Sequence, residues 1–188
     1  LPHRDHIVEG TPEKINRLAS AGIARTDVEV RIFDRHNNEL PANETGEIVT
    51  RSDLVMKGYW RNPEATAETI VNGWLHTGDM GYMDDNGYLF IMDRSKDMII
   101  SGGENVYPRE IEEVLIRHPA VREVAVIGIP DPKWGEAIKA IVARIPEKSV
   151  TENELIDFCK DNIASYKKPK SVDFVDELPK NNYGKILK

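Results

Sequence analysis

Residues 93–107 read DRSKDMIISGGENVY, and the chain differs in character on either side of them. Four charged residues fall within the first five positions. They are followed by a short apolar strand, a Gly-Gly turn and, at Pro108, the start of a helix. A Gly-Gly pair lets the backbone approach a neighbour closely, since no Cβ stands in the way. We interpret this stretch as the boundary between two structural units, 1–95 and 96–188.

The first half reads mostly as short strands and turns. Alternating apolar residues predict a half-buried strand at 28–32, with residues 47–50 as its hairpin partner. Asn62 is placed to cap a short helix that begins at Pro63 and ends at Asn72-Gly73. The Asn86-Gly87 pair predicts a second hairpin within residues 82–92.

The second half alternates helices with longer apolar strands. Pro108 opens a helix, which Pro119 ends, with Ile111, Val114 and Leu115 on one stripe. Strands are predicted at 121–129, 137–145 and 171–175. Thr151 and Glu154 form a capping box, in which each side chain satisfies a free amide of the other residue. This order of elements predicts a small α+β domain.

Composition excludes several classes of function. The chain has 188 residues and a formal net charge of −7, which argues against nonspecific nucleic-acid binding and against an anionic membrane surface. Its single cysteine, Cys159, excludes an internal disulfide and is interpreted as a small buried residue on a helix face. No apolar run reaches membrane-spanning length and no secretory signal is present, so we expect a cytoplasmic protein.

Common catalytic motifs are missing from the chain. It has no Gly-rich phosphate loop ending in Lys-Ser or Lys-Thr, no dinucleotide fingerprint, no Ser nucleophile elbow and no metal-type Cys/His spacing. The candidates that remain are groups suited to a nucleotide. Asp79, read as following Gly78 at a strand end, can accept hydrogen bonds from a ribose diol, or can cap its own turn.

Two cationic residues, Arg94 and Lys185, are further candidates. The Arg94 guanidinium can add to the same sugar or to a phosphate, or can pair with Asp93 or Asp97. Lys185 can meet a developing negative charge, although many lysines near a terminus have no such role.

A third group of candidates lies in the second half. Gly102-Gly103 fits either the wall of a narrow channel or a tight turn. Trp134 can stack on a base or cover the edge of the core. The basic segment 166–170, with Tyr166, Lys168 and Lys170, can bind phosphates or form a solvated loop.

The order and spacing of five segments are more specific than any one of them. These are WLHTGD at 74–79, DRSKD at 93–97, SGGEN at 101–105, PREIE at 108–112 and PKNNYGK at 179–185. Together they resemble the acyl-CoA synthetase branch of the adenylate-forming enzymes, which also include luciferases and peptide-synthetase adenylation domains. The resemblance covers nearly the whole chain. It implies the β-rich end of a large N-terminal domain followed by a small mixed α/β C-terminal domain, joined by a hinge.

The resemblance also implies a two-step reaction. A carboxylic acid attacks the α-phosphate of ATP to give an acyl-adenylate, and the thiol of coenzyme A then displaces AMP. Between the steps the small domain rotates. The implied roles are ribose binding for Asp79, a nucleotide contact for Arg94, the hinge for Lys96 and adenylation for Lys185. Gly102 and Gly103 would line the pantetheine tunnel, and Trp134, Tyr166, Lys168 and Lys170 would hold the coenzyme A nucleotide.

Other parts of the family pattern are absent from these residues. The phosphate loop, the adenine-binding segment and the acyl pocket would precede Leu1, so we expect a piece of a longer protein that is inactive alone. Its expected partners are the missing N-terminal part and the small-molecule substrates, which are the carboxylic acid, ATP and coenzyme A. We expect no nucleic-acid partner and no membrane span. Mg²⁺ is expected in the intact enzyme, with its ligands outside this chain.

The identity of the acid and the acceptor remains open at this level. The segment 102–105 resembles ligases for fatty and aryl acids, which favours a medium- or long-chain fatty acid. An aryl acid is the alternative substrate, and a carrier-protein phosphopantetheine is the alternative acceptor. A noncatalytic interaction module is the competing class of function.

Overall fold

The computed structural model describes residues 1–188 and contains two compact units, Leu1–Lys96 and Asp97–Lys188. The division falls one residue after the boundary drawn from the sequence. Each unit holds one five-stranded sheet, and helices are few, so the α+β class is confirmed. None of the helices combines the length and the apolar character needed to cross a lipid bilayer.

The first unit is built on an antiparallel sheet in the order β1-β2-β4-β3, with β5 also paired to β4. Two short helices and two 3-10 turns, His3–Asp5 and Arg17–Ala19, flank the sheet. Its elements are α1 (Pro12–Asn16), β1 (Glu29–Phe33), β2 (Gly46–Arg51), α2 (Pro63–Thr69), β3 (Ile70–Val71), β4 (Trp74–Met83) and β5 (Leu89–Arg94).

Strand β4 is the centre of this sheet, and it changes partner along its length. One edge lies against β2, whereas the other pairs first with β3, up to Leu75, and then with β5 from Asp79 onward. Asn62 caps α2 as predicted, accepting from Ala65 N–H at 3.1 Å. The predicted end of α2 is wrong, because Ile70–Val71 joins the sheet as β3 instead of continuing the helix.

The core of the first unit lies under β1, β2 and β5, where Ile32, Ile48, Val49 and Phe90 are buried. One charged residue, Asp5, is buried beside them. Its carboxylate accepts from the Tyr88 hydroxyl at 2.8 Å and lies 3.5 Å from an Arg17 guanidinium nitrogen. A buried carboxylate needs partners of this kind, because leaving it unpaired would cost several kcal/mol.

The second unit packs two helices against a mixed sheet with the path β10-β9-β6-β7, in which β8 also pairs with β9. The pairing of β10 with β9 is parallel, and the others are antiparallel. A 3-10 turn, Ser165–Lys167, lies between the last helix and the last strand. Its elements are β6 (Ile99–Ser101), β7 (Glu104–Val106), α3 (Pro108–Leu115), β8 (Val121–Asp131), β9 (Gly135–Arg144), α4 (Glu152–Asn162) and β10 (Ser171–Val175).

Most elements of the second unit match the sequence predictions. The apolar stripe of α3 is buried, and the Thr151–Glu154 capping box is present at the start of α4. Helix α3 ends at Leu115, however, four residues before the Pro119 that was expected to stop it. Cys159 is fully buried in the core, and burial raises the pKa of its thiol to about 11. The interpretation of Cys159 as a small buried residue on a helix face is therefore confirmed.

Candidate functional site

A β-bulge in β4 determines where Asp79 lies. Glu47 pairs with Met80 and Val49 pairs with His76, so three residues of β4, 77–79, oppose the single residue Ile48. Asp79 is thus inside a ten-residue strand, which corrects the expectation that it ends one. Gly78 adopts a φ of +73°, a left-handed conformation that glycine reaches without a steric penalty.

The Glu47 carboxylate holds the bulge from the neighbouring strand. Its Oε1 accepts from Gly78 N–H at 3.0 Å, and its Oε2 lies 2.8 Å from His76 Nδ1. Thr77 Oγ1 donates to the Ile48 carbonyl at 2.7 Å and accepts from Asp79 N–H at 3.1 Å. These bonds replace the ladder hydrogen bonds that the bulge removes, so the backbone at Asp79 is fixed in an irregular shape.

Asp79 and Arg94 are brought together across the β4–β5 pair. They are register partners, and Arg94 Nε lies 3.4 Å from Asp79 Oδ1. The two side chains are 36% and 53% exposed, so the pair stabilises the fold by at most about 1 kcal/mol. The arrangement presents a carboxylate and a fork-shaped donor side by side to an incoming polar ligand.

The Gly102-Gly103 turn joins β6 to β7 as a two-residue hairpin. Its φ values of +63° and +87° match a type I′ turn, which requires left-handed backbone at both positions. Gly102 N–H donates to the Trp134 carbonyl at 2.9 Å, and Glu136 Oε2 accepts from Ile100 N–H at 2.7 Å. The first bond fastens the turn to the loop between β8 and β9, and the second joins β6 to β9 beside it.

Trp134 lies directly against this turn. A Cβ added to Gly102 would stand 2.8 Å from Trp134 Cε3, so the indole occupies the space that glycine leaves open. The ring is 40% exposed, and the Lys133 and Lys170 ammonium groups lie 4.9 and 5.0 Å from its centroid. Gly102, Lys133, Trp134 and Lys170 therefore form one cluster, here called the indole cluster, with an aromatic face and two cations.

The other residues of the basic segment have different surroundings. Tyr166 lies in the 3-10 turn and is 49% exposed, and the partly buried Lys168 follows that turn. Lys167, which was not singled out from the sequence, donates to Glu110 Oε2 at 2.6 Å and lies 5.7 Å from the centre of the Tyr166 ring. This ion pair ties the segment to α3.

Lys96 and Lys185 are both exposed. Lys96 lies in the 3-10 turn Ser95–Asp97, where the two compact units meet in the sequence. Lys185 lies in a small hairpin, 179–187, in which Asn181 Oδ1 accepts from Lys185 N–H at 3.0 Å. Asp79 and Arg94 belong to the first unit, and Lys185 and the indole cluster belong to the second.

The structure groups no three His, Cys, Asp or Glu side chains in an arrangement that could hold a metal ion. The side chains present therefore do not form a Mg²⁺ site by themselves. We accordingly assign no chemical step in this chain to Mg²⁺.

Two family models match the chain. The model described as the AMP-binding enzyme C-terminal domain matches residues 110–185, and the model described as the AMP-binding enzyme matches residues 6–60. The chain belongs to the adenylate-forming superfamily of AMP-binding enzymes. The first model falls in the second compact unit and the second model falls in the first.

Curated relatives support this placement along almost the whole chain. A long-chain-fatty-acid–CoA ligase of Escherichia coli O6:H1 is 48% identical over 90% of the chain and 30% of its own length. Long-chain-fatty-acid–CoA ligase FadD13 of Mycobacterium tuberculosis is 51% identical over 94% of the chain and 35% of its own length. A feruloyl-CoA synthase of Amycolatopsis is 45% identical over 98% and 36% respectively. The chain thus spans about a third of the length of these relatives.

Solved structures of the family share the fold. The o-succinylbenzoate CoA synthetase of Bacillus subtilis, in complex with its acyl-adenylate intermediate, has a TM-score of 0.85 at 42% identity, over 94% of this chain and 36% of its own. ATP-bound MatB of Rhodopseudomonas palustris has a TM-score of 0.85 at 39% identity, over 89% and 34% respectively. The expected family and fold are therefore confirmed.

Several contributors to the site were missed by reasoning from the sequence. Glu47 and Thr77 shape the bulge, and Glu136 joins β6 to β9 beside the Gly-Gly turn. A signal was available for the bulge, since Gly78 interrupts an otherwise continuous strand pattern. Nothing local pointed to Glu47 or Glu136, because their partners lie 31 and 36 residues away in the chain.

The two glycines of the β6–β7 turn give a matched test of the contact with Trp134. Alanine at either position incurs left-handed strain of about 1–2 kcal/mol. Gly103→Ala meets no atom within 4 Å, whereas Gly102→Ala must also displace the indole. We expect Gly102→Ala to lower the free energy of unfolding more than Gly103→Ala, and to be the variant that shifts the fluorescence of Trp134. Both are measured in a Trp60→Phe/Trp74→Phe background, and equal stability losses with unchanged emission would contradict the contact.

Proposed function

We propose that this chain is the C-terminal part of an AMP-forming acid–thiol ligase that converts a carboxylic acid to its coenzyme A thioester at the expense of ATP. The observation that carries the proposal is the 45–51% identity, over 90–98% of the chain, to proteins named as CoA ligases or synthases. The geometry supports it, since Asp79 and Arg94 form one polar pair and Gly102, Trp134 and Lys170 lie in the indole cluster.

In the first step, an oxygen of the substrate carboxylate attacks the α-phosphorus of ATP, the bond from phosphorus to the bridging oxygen breaks, and pyrophosphate leaves. Asp79 accepts hydrogen bonds from the ribose hydroxyls, and Arg94 donates to the nucleotide. The reaction joins two anions, so the Lys185 ammonium offsets negative charge that builds up in the transition state.

In the second step, the sulfur of coenzyme A attacks the acyl carbonyl carbon and AMP leaves with its phosphate oxygen. The Gly102-Gly103 turn has no side chain to obstruct a narrow pantetheine arm. Trp134 offers a partly exposed indole face for the coenzyme A base, with the Lys170 ammonium 5.0 Å from its ring centre. Tyr166 and Lys168 are proposed to contact the same nucleotide. Lys185 is not needed in this step.

Lys185→Ala tests the first step. A preorganised charge of this kind contributes about 3–4 kcal/mol, so we expect acyl-adenylate formation to slow by a factor of about 10²–10³. Thioester formation from supplied acyl-adenylate should continue near the wild-type rate. Pyrophosphate release and thioester yield from the full-length enzyme measure the two steps. Lys160→Ala, on the exposed side of α4, is the control, and equal loss in both steps would remove Lys185 from this role.

Lys96 is proposed as the hinge about which the second unit turns between the two steps. Proline at this position fixes φ near −65° and removes the amide proton, so Lys96→Pro should restrict the rotation. We expect the thioester step to slow more than the adenylate step, whereas Lys96→Ala should retain both. Single-turnover rates of the two steps decide the point, and wild-type rates in both for Lys96→Pro would exclude a hinge at Lys96.

The acid is proposed to be a medium- or long-chain fatty acid. Two relatives named for long-chain fatty acids support this choice, and relatives named for feruloyl-CoA and 2-succinylbenzoate support the aryl alternative. We expect kcat/KM for pyrophosphate release to be highest for C8–C18 acids in a panel that includes cinnamic and benzoic acids. A higher value for the aryl acids would shift the proposal to an aryl-acid ligase.

The proposed acceptor is free coenzyme A rather than a carrier protein. The indole cluster favours it, because an exposed aromatic face with two cations suits a nucleotide bearing phosphates. Dephospho-coenzyme A should therefore be a weaker acceptor than coenzyme A. A carrier-dependent enzyme would not distinguish dephospho-coenzyme A from coenzyme A. The competing class of function, a noncatalytic module, would release no pyrophosphate with any acid.

A further inference from the structure

The hairpin that carries Lys185 is held together by local hydrogen bonds. Asn181 N–H donates to the Lys185 carbonyl at 2.9 Å, and Leu187 N–H donates to the Pro179 carbonyl at 2.9 Å. These bonds define the internal shape of residues 179–187 but not where the hairpin lies on the second unit. A two-stranded hairpin is at best marginally stable by itself, so its position depends on contacts with other elements.

Apolar packing beneath the hairpin is incomplete. An open groove of about 280 Å³ lies between α3, β8 and the hairpin, with Ile116, Val124 and Ile186 in its lining. Ile116, on the helix side, is 47% exposed. Hydrophobic contacts therefore fix the hairpin only loosely at this point.

The first firm contact is an ion pair before Lys185 in the sequence. Lys180 Nζ donates to Glu123 Oε1 on β8, and the two side chains are only 30% and 23% exposed. The hydrogen bond from Lys180, together with the positive charges of Lys180 and Arg122, lowers the pKa of Glu123. The carboxylate is therefore ionised at neutral pH, and partial burial limits the screening of the pair by salt.

The second contact follows Lys185. Lys188 Nζ lies 2.8 Å from Glu112 Oε1 on α3, and the two side chains are 22% and 20% exposed. The same oxygen of Glu112 accepts from Val126 N–H at 2.7 Å, which fastens the carboxylate to β8. The Glu112 carboxylate is thus itself held by a hydrogen bond from a buried residue of β8.

We propose that Glu123 and Glu112 are positioning residues that set where the Lys185 ammonium lies. Their ion pairs hold Lys180, five residues before Lys185, and Lys188, three residues after it. Glu123 lies on β8 and Glu112 on α3, so the two contacts come from different elements. A loop held at one point can swing about that point, whereas two anchors on separate elements remove this freedom. The inference rests on the proposed function, in which Lys185 must meet a transition state in one specific place.

Glu123→Gln tests the role because it keeps the size of the side chain and removes its charge. We expect acyl-adenylate formation in the full-length enzyme to slow by a factor of about 10–100, the range that a small misplacement of a catalytic group produces. KM for ATP and for the acid should stay unchanged, and so should the rate of thioester formation from supplied acyl-adenylate. Glu123→Asp, which keeps the charge, should recover part of the lost rate.

Glu113→Gln is the matched control on α3. It removes the exposed pair in which Arg109 Nε lies 2.9 Å from Glu113 Oε1, with both side chains more than half exposed. This pair is separate from the two ion pairs that hold the hairpin, so both steps should keep their wild-type rates. Equal slowing by Glu113→Gln and Glu123→Gln would overturn the assignment.

Hydrogen exchange provides a readout that needs no substrate. The amides of Asn181, Lys185 and Leu187 should exchange faster in Glu123→Gln than in the wild type, and should be unchanged in Glu113→Gln. Unchanged exchange with a wild-type adenylate rate would overturn the inference, as would equal loss in both steps with a lowered melting temperature. If the wild-type enzyme forms no adenylate from any acid, the proposed function fails, and the exchange result alone then decides whether Glu123 anchors the hairpin.

Discussion

The hydrogen bond from Gly78 N–H to the Glu47 carboxylate is the constraint on which the first unit depends. It stabilises a bulge in the middle of the central strand, at the point where β4 leaves β3 and begins to pair with β5. The bulge places two extra residues of β4 opposite β2, so without it the residues beyond it would shift by two positions relative to β2. One carboxylate therefore stabilises the irregular backbone at which Asp79 and Arg94 are paired.

The second unit repeats this use of carboxylates. Glu136 accepts from Ile100 N–H, Glu112 from Val126 N–H and Glu152 from Val172 N–H, and each bond joins two different elements. The chain has 32 acidic residues against 25 basic ones. Part of the acidic excess thus serves inside the fold, as acceptors for backbone amides that the sheet ladders leave unpaired. The net charge of the chain therefore does not indicate how many carboxylates accept hydrogen bonds from backbone amides.

The elements that the sequence predicted well are those encoded locally. The capping box of α4, the Asn62 cap of α2 and the buried stripe of α3 depend on residues within one or two turns of helix. Asp79 and Arg94 were recognised as candidates through the order of motifs, but their pairing depends on the register of β4 and β5. The bulge and the parallel pairing of β10 with β9 depend on contacts far apart in the chain, whereas β3 pairs with β4 across the local Asn72-Gly73 turn, which the sequence pattern predicted as a helix end. Local propensity carries no information about such contacts.

The long separation between Lys180 and Glu123 has a consequence for biosynthesis. The two residues are 57 positions apart, and Glu123 comes first. At about 5–20 residues per second, a ribosome needs roughly 3–11 s to add the intervening chain. Strand β8 and helix α3 are therefore made well before the hairpin that they anchor. Lys180 thus docks onto elements whose own sequence is already complete.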